Sequence, residues 1–157
     1  MTFRLFLRLF TLIFLGGSLL WAGSSKPSGG LRIHLQIAGE MQTTSQSASV
    51  VLEGPEEVIT VSVIPNLSES HIESVQSLQN GESMGMIITF NQLGKTLLNN
   101  LTLEGQGRVM VIYLNDRIIY SPVIDSVIGN GVLVIPSGVT PKDLEMIQSL
   151  VKKLKSR

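Results

Sequence analysis

The sequence predicts an α+β fold: a mostly antiparallel sheet with helices packed on one face, ferredoxin-like in character. Three observations predict it. Val109–Leu114 is an unbroken apolar run rich in β-branched residues, followed by Asn115-Asp116 and a return run Arg117–Ser121. Asn and Asp tolerate the left-handed backbone that a two-residue hairpin turn needs, so this reads as two antiparallel strands. Near the end, Thr140-Pro141 opens a segment in which Leu144, Ile147, Val151 and Leu154 recur at helical spacing. Between the start and these elements, alternating and continuous apolar runs interleave with amphipathic stretches, in the order expected of helices layered over a sheet.

The 157 residues allow one domain and a targeting segment. Arg4 and Arg8 precede the apolar run Leu9–Trp21, and small residues follow at Ala22-Gly23-Ser24. This is the anatomy of a signal peptide over residues 1–24, with the alternative of an N-terminal anchor. The run is short against the ~20 residues of a membrane span, and Gly16-Gly17 interrupts it, so length favours cleavage. Cutting after Ser24 places Ala22 at −3 and Ser24 at −1. The expectation is an exported, periplasmic or envelope-associated product, touching the membrane only through that segment if it stays uncleaved. Residues 25–30 are a linker by composition. Residues 31–157 form the single domain.

Formal charge is zero, so no electrostatic footprint points to nucleic acid. There is no cysteine, which excludes disulfides, thiolate metal sites and a cysteine nucleophile.

Leu31–Ile37 alternates apolar and polar residues as a half-buried strand does. His34 then falls on its polar face beside Arg32, as a surface residue without a partner at metal-ligand spacing. Gly39–Ser49 is polar and rich in Ser, Thr and Gln, either a loop or a strand edge exposed on both faces. Val50–Leu52 is a short strand, Gly54-Pro55 a turn, and Glu56-Glu57 a pair of solvated turn charges. Val58–Ile64 is the next strand, ended by Pro65. Ser68 then reads as an N-cap, with His71 where a capping acid would stand and Glu69 in the first turn. Ile72, Val75 and Leu78 at i, i+3, i+6 predict a helix that ends at Asn80-Gly81. Met84–Phe90 is a buried strand. Gln92–Leu103 is a helix with Leu93, Leu97, Leu98 and Leu101 on its inner side.

After the hairpin, Gly129-Asn130-Gly131 turns into the strand Val132–Ile135. In the last helix Thr140 is the N-cap, Pro141 the first residue, Asp143 lies in the first turn and Lys152, Lys153 and Lys155 in the last. Ile147 is central in its apolar stripe, and Gln148 falls on the opposite face. No internal repeat is evident.

Catalytic patterns are absent: no Gly-x-Ser-x-Gly elbow, no His-Glu-x-x-His, no glycine-rich phosphate loop. Asp116 has a structural reason in its turn, and Asp125 lies in the bend between Pro122 and Gly129. Ser121 ends a strand before Pro122 with no base beside it. The expectation is a non-enzymatic domain with no catalytic, cofactor or metal site.

The pattern Gly107, apolar run, Asn115-Asp116-Arg117, Ile119, Ser121-Pro122, Ile124, Ile128, Gly131 resembles the periplasmic head subdomain of the SecD/SecDF protein-export membrane protein family. Upstream, Ile88-Thr89-Phe90, Gly94, Leu98 and Thr102 extend the resemblance; downstream, Thr140-Pro141-Lys142-Asp143-Leu144 does. It covers about Met84 to Leu154. The resemblance implies an extracytoplasmic binding or accessory domain that holds exported polypeptide during translocation, with unfolded exported polypeptide or Sec translocon components as partners. The sequence contains no transmembrane bundle after Leu154, so only the passive binding part of that family's work is expected to carry over. The alternative is a structural accessory protein of a cell-envelope assembly that shares only the fold. The candidate peptide-binding edge is Gln42, Thr43, Thr44, Ser45, Gln46 and Ser47, whose polar groups suit an extended backbone. The alternative there is a loop without consequence.

Overall fold

Residues 30–39, 46–52 and 57–157 are described by a computed structural model. The domain boundaries expected at 24 and 30, the Gly54-Pro55 turn, Glu56 and the stretch Gln42–Ser45 lie outside or at the margin of the described residues.

The strands are β1 (Leu31–Leu35), β2 (Ser47–Val51), β3 (Val58–Ser62), β4 (Leu67–Ser68), β5 (Ile72–Asn80), β6 (Ser83–Phe90), β7 (Met110–Leu114), β8 (Arg117–Tyr120) and β9 (Val132–Ile135). The helices are α1 (Gln92–Glu104) and α2 (Pro141–Lys155). All pairings between these strands are antiparallel, in three sheets ordered β4-β1-β7-β8, β2-β3 and β5-β6-β9. The α+β class expected from the sequence is the one found.

The main core joins the inner face of the four-stranded sheet (Leu31, Ile33, Met110, Ile112, Leu114) to β6, β9 and both helices. Alternation along β7 sends Val109 and Val111 to the other face. There the β2–β3 hairpin covers them with Val50, Leu52, Ile59 and Val61, forming a second, smaller core. The two helices therefore share one side of the sheet, and a hairpin closes the other. Gln36 and Ile37 stitch the layers together: Gln36 N donates to Val109 O (2.9 Å), and Ile37 N donates to Thr60 O (2.8 Å).

The β7–β8 turn has the backbone that its residues allow. Asn115 and Asp116 adopt φ of 52° and 61°, the left-handed pair of a two-residue hairpin. Asp116 also pairs with Arg32 across the sheet. The α2 cap is equally local: Thr140 Oγ1 accepts from Asp143 N (3.2 Å), and Asp143 Oδ2 accepts from Thr140 N (3.0 Å). Buried Asp143 also binds Arg117 at 2.8 Å, tying the helix start to β8. Burial pushes its carboxyl up, but the Thr140 bonds, Arg117 and Asn115 outweigh that and hold it below the usual carboxylate value.

The expected helix over Ile72–Asn80 is instead strand β5; only Glu69–His71 forms a single 3₁₀ turn. Ser68 does stand at the start of that turn, and its N–H donates to His71 Nδ1 (3.0 Å). The i, i+3 spacing that suggested a helix comes from a bulge. The ladder pairs Ile72 with Phe90 and then Val75 with Ile88, with a register shift between Ile72 and Ser74. Residues three apart normally face opposite sides of a strand; the extra residue returns Val75 to the side of Ile72. Both enter the core, and Leu78 does not.

In α1 the inner face is Gly94, Leu98, Leu101 and Thr102, while Leu93 is exposed. Gly94 fits where a side chain would not, since a Cβ there would lie 2.6 Å from His71 O. Thr102 is fully buried, donates to Leu98 O (2.8 Å) and accepts from Ile128 N (2.9 Å), which fastens the segment between β8 and β9 to the helix. In α2, Ile147 and Val151 are buried, whereas Leu154, the last member of the expected stripe, is exposed. Gln148 is not idle on an outer face: its Nε2 donates to Val75 O (3.0 Å).

Candidate functional site

The stretch expected to offer an open edge enters the described residues at Gln46 and runs into β2, which begins at Ser47 and not at Val50. Gln46 O accepts from Val63 N (2.9 Å), and Leu52 N donates to Glu57 O (2.9 Å). In an antiparallel ladder every second residue directs its main-chain groups at a given neighbour. With Gln46 and Leu52 bonded to the β3 side, Ala48 and Val50 face β3 as well. Ser49 and Val51 then turn their N–H and C=O away from it. Thr60, the partner of Ser49, confirms the alternation by giving its carbonyl to Ile37 on the far side of β3. Among the described residues β2 pairs with β3 alone. Ser47 is 7% exposed.

Side chains repeat the division. Val50 faces the small core with Ile59, its cross-strand partner. Val51 and Val58 are a cross-strand pair on the outer face near the hairpin turn, 61% and 64% exposed; Val63 and Ile64 are exposed at the opposite end of the hairpin. A strand edge with no partner strand among the described residues, flanked by exposed β-branched residues, is a place where an extended chain can add as a further strand.

Under the hairpin lies a cavity of about 220 Å³, lined among others by Arg32, His34, Ser49, Val61, Ser62 and Tyr113. His34 is not on a solvated face: it is 6% exposed, because the hairpin covers that side of β1. Its Nδ1 lies 2.8 Å from Ser62 O, and its ring meets Tyr113 edge-on, centroids 5.5 Å apart. Arg32 sits over the same Tyr113 ring, 5.8 Å from its centroid. Burial raises the Tyr113 hydroxyl above its ordinary pKa, with Arg32 opposing.

A second concavity, of about 270 Å³, separates Tyr120, Pro122, Val123 and Ile128 from Val132 and Val134. It lies between two edge strands, since in the described residues β8 pairs with β7 and β9 with β6. Nothing in the sequence marks this groove, because its walls come from two sheets.

The residues weighed for chemistry are not brought together. His34 contacts Ser62 and Tyr113, whereas His71 serves Ser68. Asp116 is engaged by Arg32, and Asp125 is exposed and accepts from Ser126. Among the described residues no group of three His, Asp or Glu is placed to hold a metal ion, and no helix is long and apolar enough to cross a membrane.

Comparison with known proteins gives one consistent result. The family model of the SecDF P1 head subdomain matches residues 43–153. Two solved structures share the fold, each at 17% identity over 79% of this chain with a TM-score of 0.56. One is described as SecDF, a membrane component that enhances protein export; the other is SecDF in a super-membrane-facing form. This chain corresponds to 62% of the first and 18% of the second, less than two thirds of either. No curated protein sequence matches it.

Proposed function

The chain belongs to the SecDF P1 head subdomain family, and from that membership we propose that it works outside the cytoplasm in protein export, holding extended exported polypeptide at the open edge of β2. The observation that carries the reading is the outward main chain of Ser49 and Val51. Strand addition uses main-chain donors and acceptors, so it accepts many sequences, as a handler of diverse exported chains must. Val51 and Val58 beside the edge favour clients whose alternate residues are apolar. The matched family model begins at residue 43, so it takes in most of the polar stretch Gln42–Ser47 that leads into this edge. Sec translocon components are the partners that fit the family, and no step of bond-making chemistry is assigned to the domain.

The test is Ser49→Pro. Ser49 N–H points away from β3, so proline removes an outward donor without removing a ladder bond, and proline is tolerated on edge strands. A fluorescent peptide of alternating valine and threonine is titrated with the full chain and followed by anisotropy. Binding by the native chain, lost in Ser49→Pro with the melting transition little changed, is the expected result. Undiminished binding by the variant refutes the edge. No binding by the native chain leaves the domain as a structural accessory of an envelope assembly.

A further inference from the structure

The buried histidine has no part in strand addition, yet it sits where the hairpin meets the sheet. The acceptor for its Nδ1 is a carbonyl, which has no proton to give, so Nδ1 carries the hydrogen and Nε2 of the neutral ring is bare. That bond runs from β1 to Ser62, the last residue of β3. With the Ile37–Thr60 bond it is one of the ties between hairpin and sheet. The described groups around the ring offer no negative charge to an added proton. From β1 the neighbour is Arg32, already positive and engaged by Asp116 of the β7–β8 turn. From β7 it is Tyr113, which presents its ring. The lining from β2 and β3 is Ala48, Ser49, Val50, Val61, Ser62 and Val63, with no carboxylate among them.

We propose that His34 is an acid-sensitive latch: neutral, it holds the β2–β3 hairpin on the four-stranded sheet, and protonated, it releases it. An imidazolium in the closed site is buried beside a guanidinium with no carboxylate among the described lining residues, whereas in the opened site it is hydrated. Burial is the larger influence on the ring, the Ser62 bond opposes it and Arg32 adds to it, so the closed form holds its proton below the ordinary value of 6.5. The closed state therefore binds fewer protons than the open one. Closure is fully favoured above about 6.5 and is lost as pH falls through the closed-state value. Opening uncovers Val50, Ile59 and Val61 together with Val109 and Val111. It also frees the strand whose edge is proposed to hold polypeptide; that link rests on the strand-addition reading, while the latch itself does not.

The experiment is hydrogen–deuterium exchange on the full chain, expressed as protection relative to intrinsic rates, between pH about 7.5 and about 5. Uptake of one proton lowers protection of the Val50 and Val61 amides by roughly tenfold per pH unit at most. Ile88 and Leu133, in the β6–β9 ladder, keep theirs. His34→Gln retains a donor for Ser62 O and cannot titrate, so its hairpin protection is expected to be independent of pH; His71→Gln is expected to behave as the native chain. Should His34→Gln fail to fold, the native chain decides alone. The ring-carbon shifts of His34, followed by NMR, must titrate with the same midpoint as the loss of hairpin protection. The latch is overturned if the hairpin keeps its protection, if His34→Gln loses it equally, if the two midpoints differ, or if the β6–β9 ladder opens with it. Peptide binding is read separately, so opening without capture refutes strand addition and leaves the latch standing.

Discussion

Replacing Ile147 by alanine asks how much of the stability depends on α2 docking. Ile147 is 0% exposed and belongs to the main core together with Val75 of β5 and Val151 one turn on. The change removes three carbon atoms, worth about 2.4 kcal/mol at ~0.8 kcal/mol per buried methylene. The hole left behind adds about 1 kcal/mol, because neighbours anchored elsewhere close in only partly. Val75 is so anchored: it is held in the β5–β6 ladder opposite Ile88. The total, about 3–4 kcal/mol, corresponds to a fall in Tm of roughly 12–16 °C at this domain size. Equilibrium urea denaturation with an unchanged slope, paired with a thermal melt, measures it. Glu145→Ala, on the exposed side of the same helix, is the control, expected within ~0.5 kcal/mol. Gln148 cannot serve, given its bond to Val75 O. A loss below about 1 kcal/mol for Ile147→Ala, or a loss equal to that of Glu145→Ala, would refute α2 as part of the core.

Asp143→Ala removes the carboxylate half of the α2 capping box and the ion pair to Arg117, which keeps its bond to Gly138 O, at an expected cost of about 1–3 kcal/mol in urea denaturation. The folded carboxyl is held below its ordinary value, so its contribution is complete above pH about 4 and fades as pH falls through the folded value; acid titration of native and variant chains should converge there. Asp116→Val should cost about 1–2 kcal/mol for a β-branched residue at φ 61°, beyond the loss of the Arg32 pair, whereas Asp116→Gly should cost less than the valine variant.

What could be read in the sequence was local. The Asn115-Asp116 turn and the Thr140-x-x-Asp143 cap are each decided by residues within one turn of chain, and both stand as expected. The strand in place of a helix after His71 was not legible, because a bulge in β5 and a helix both put Ile72 and Val75 on one side. His34 was misplaced for a different reason. Alternation says that it lies opposite Leu31 and Ile33, but not whether that side meets water, and the covering hairpin is distant in sequence. The polar stretch Gln42–Ser47, read from the sequence as a candidate edge, lies largely outside the described residues; the alternation of β2 beside it is defined by the bonds of Gln46, Leu52 and Thr60 to partners elsewhere in the chain.

The position of β7 has a consequence for the order of events as the chain emerges, amino-terminus first. Leu31 of β1 is paired with Leu114, and the inner side of the β2–β3 hairpin rests on Val109 and Val111. The buried apolar residues of β1 and of the β2–β3 hairpin thus wait for one strand much further along the chain. Until that strand arrives, the early segments have only each other, and a two-stranded hairpin alone is marginal in water. The β5–β6 hairpin, by contrast, is made of neighbours and can pair early. Closure of the long loop from β1 to β7 comes last and is slow, since its entropy must be met before any of its contacts form. A chain built in this way stays loose at its leading end until Leu114, of 157 residues, has appeared, the condition under which a polypeptide can still be threaded.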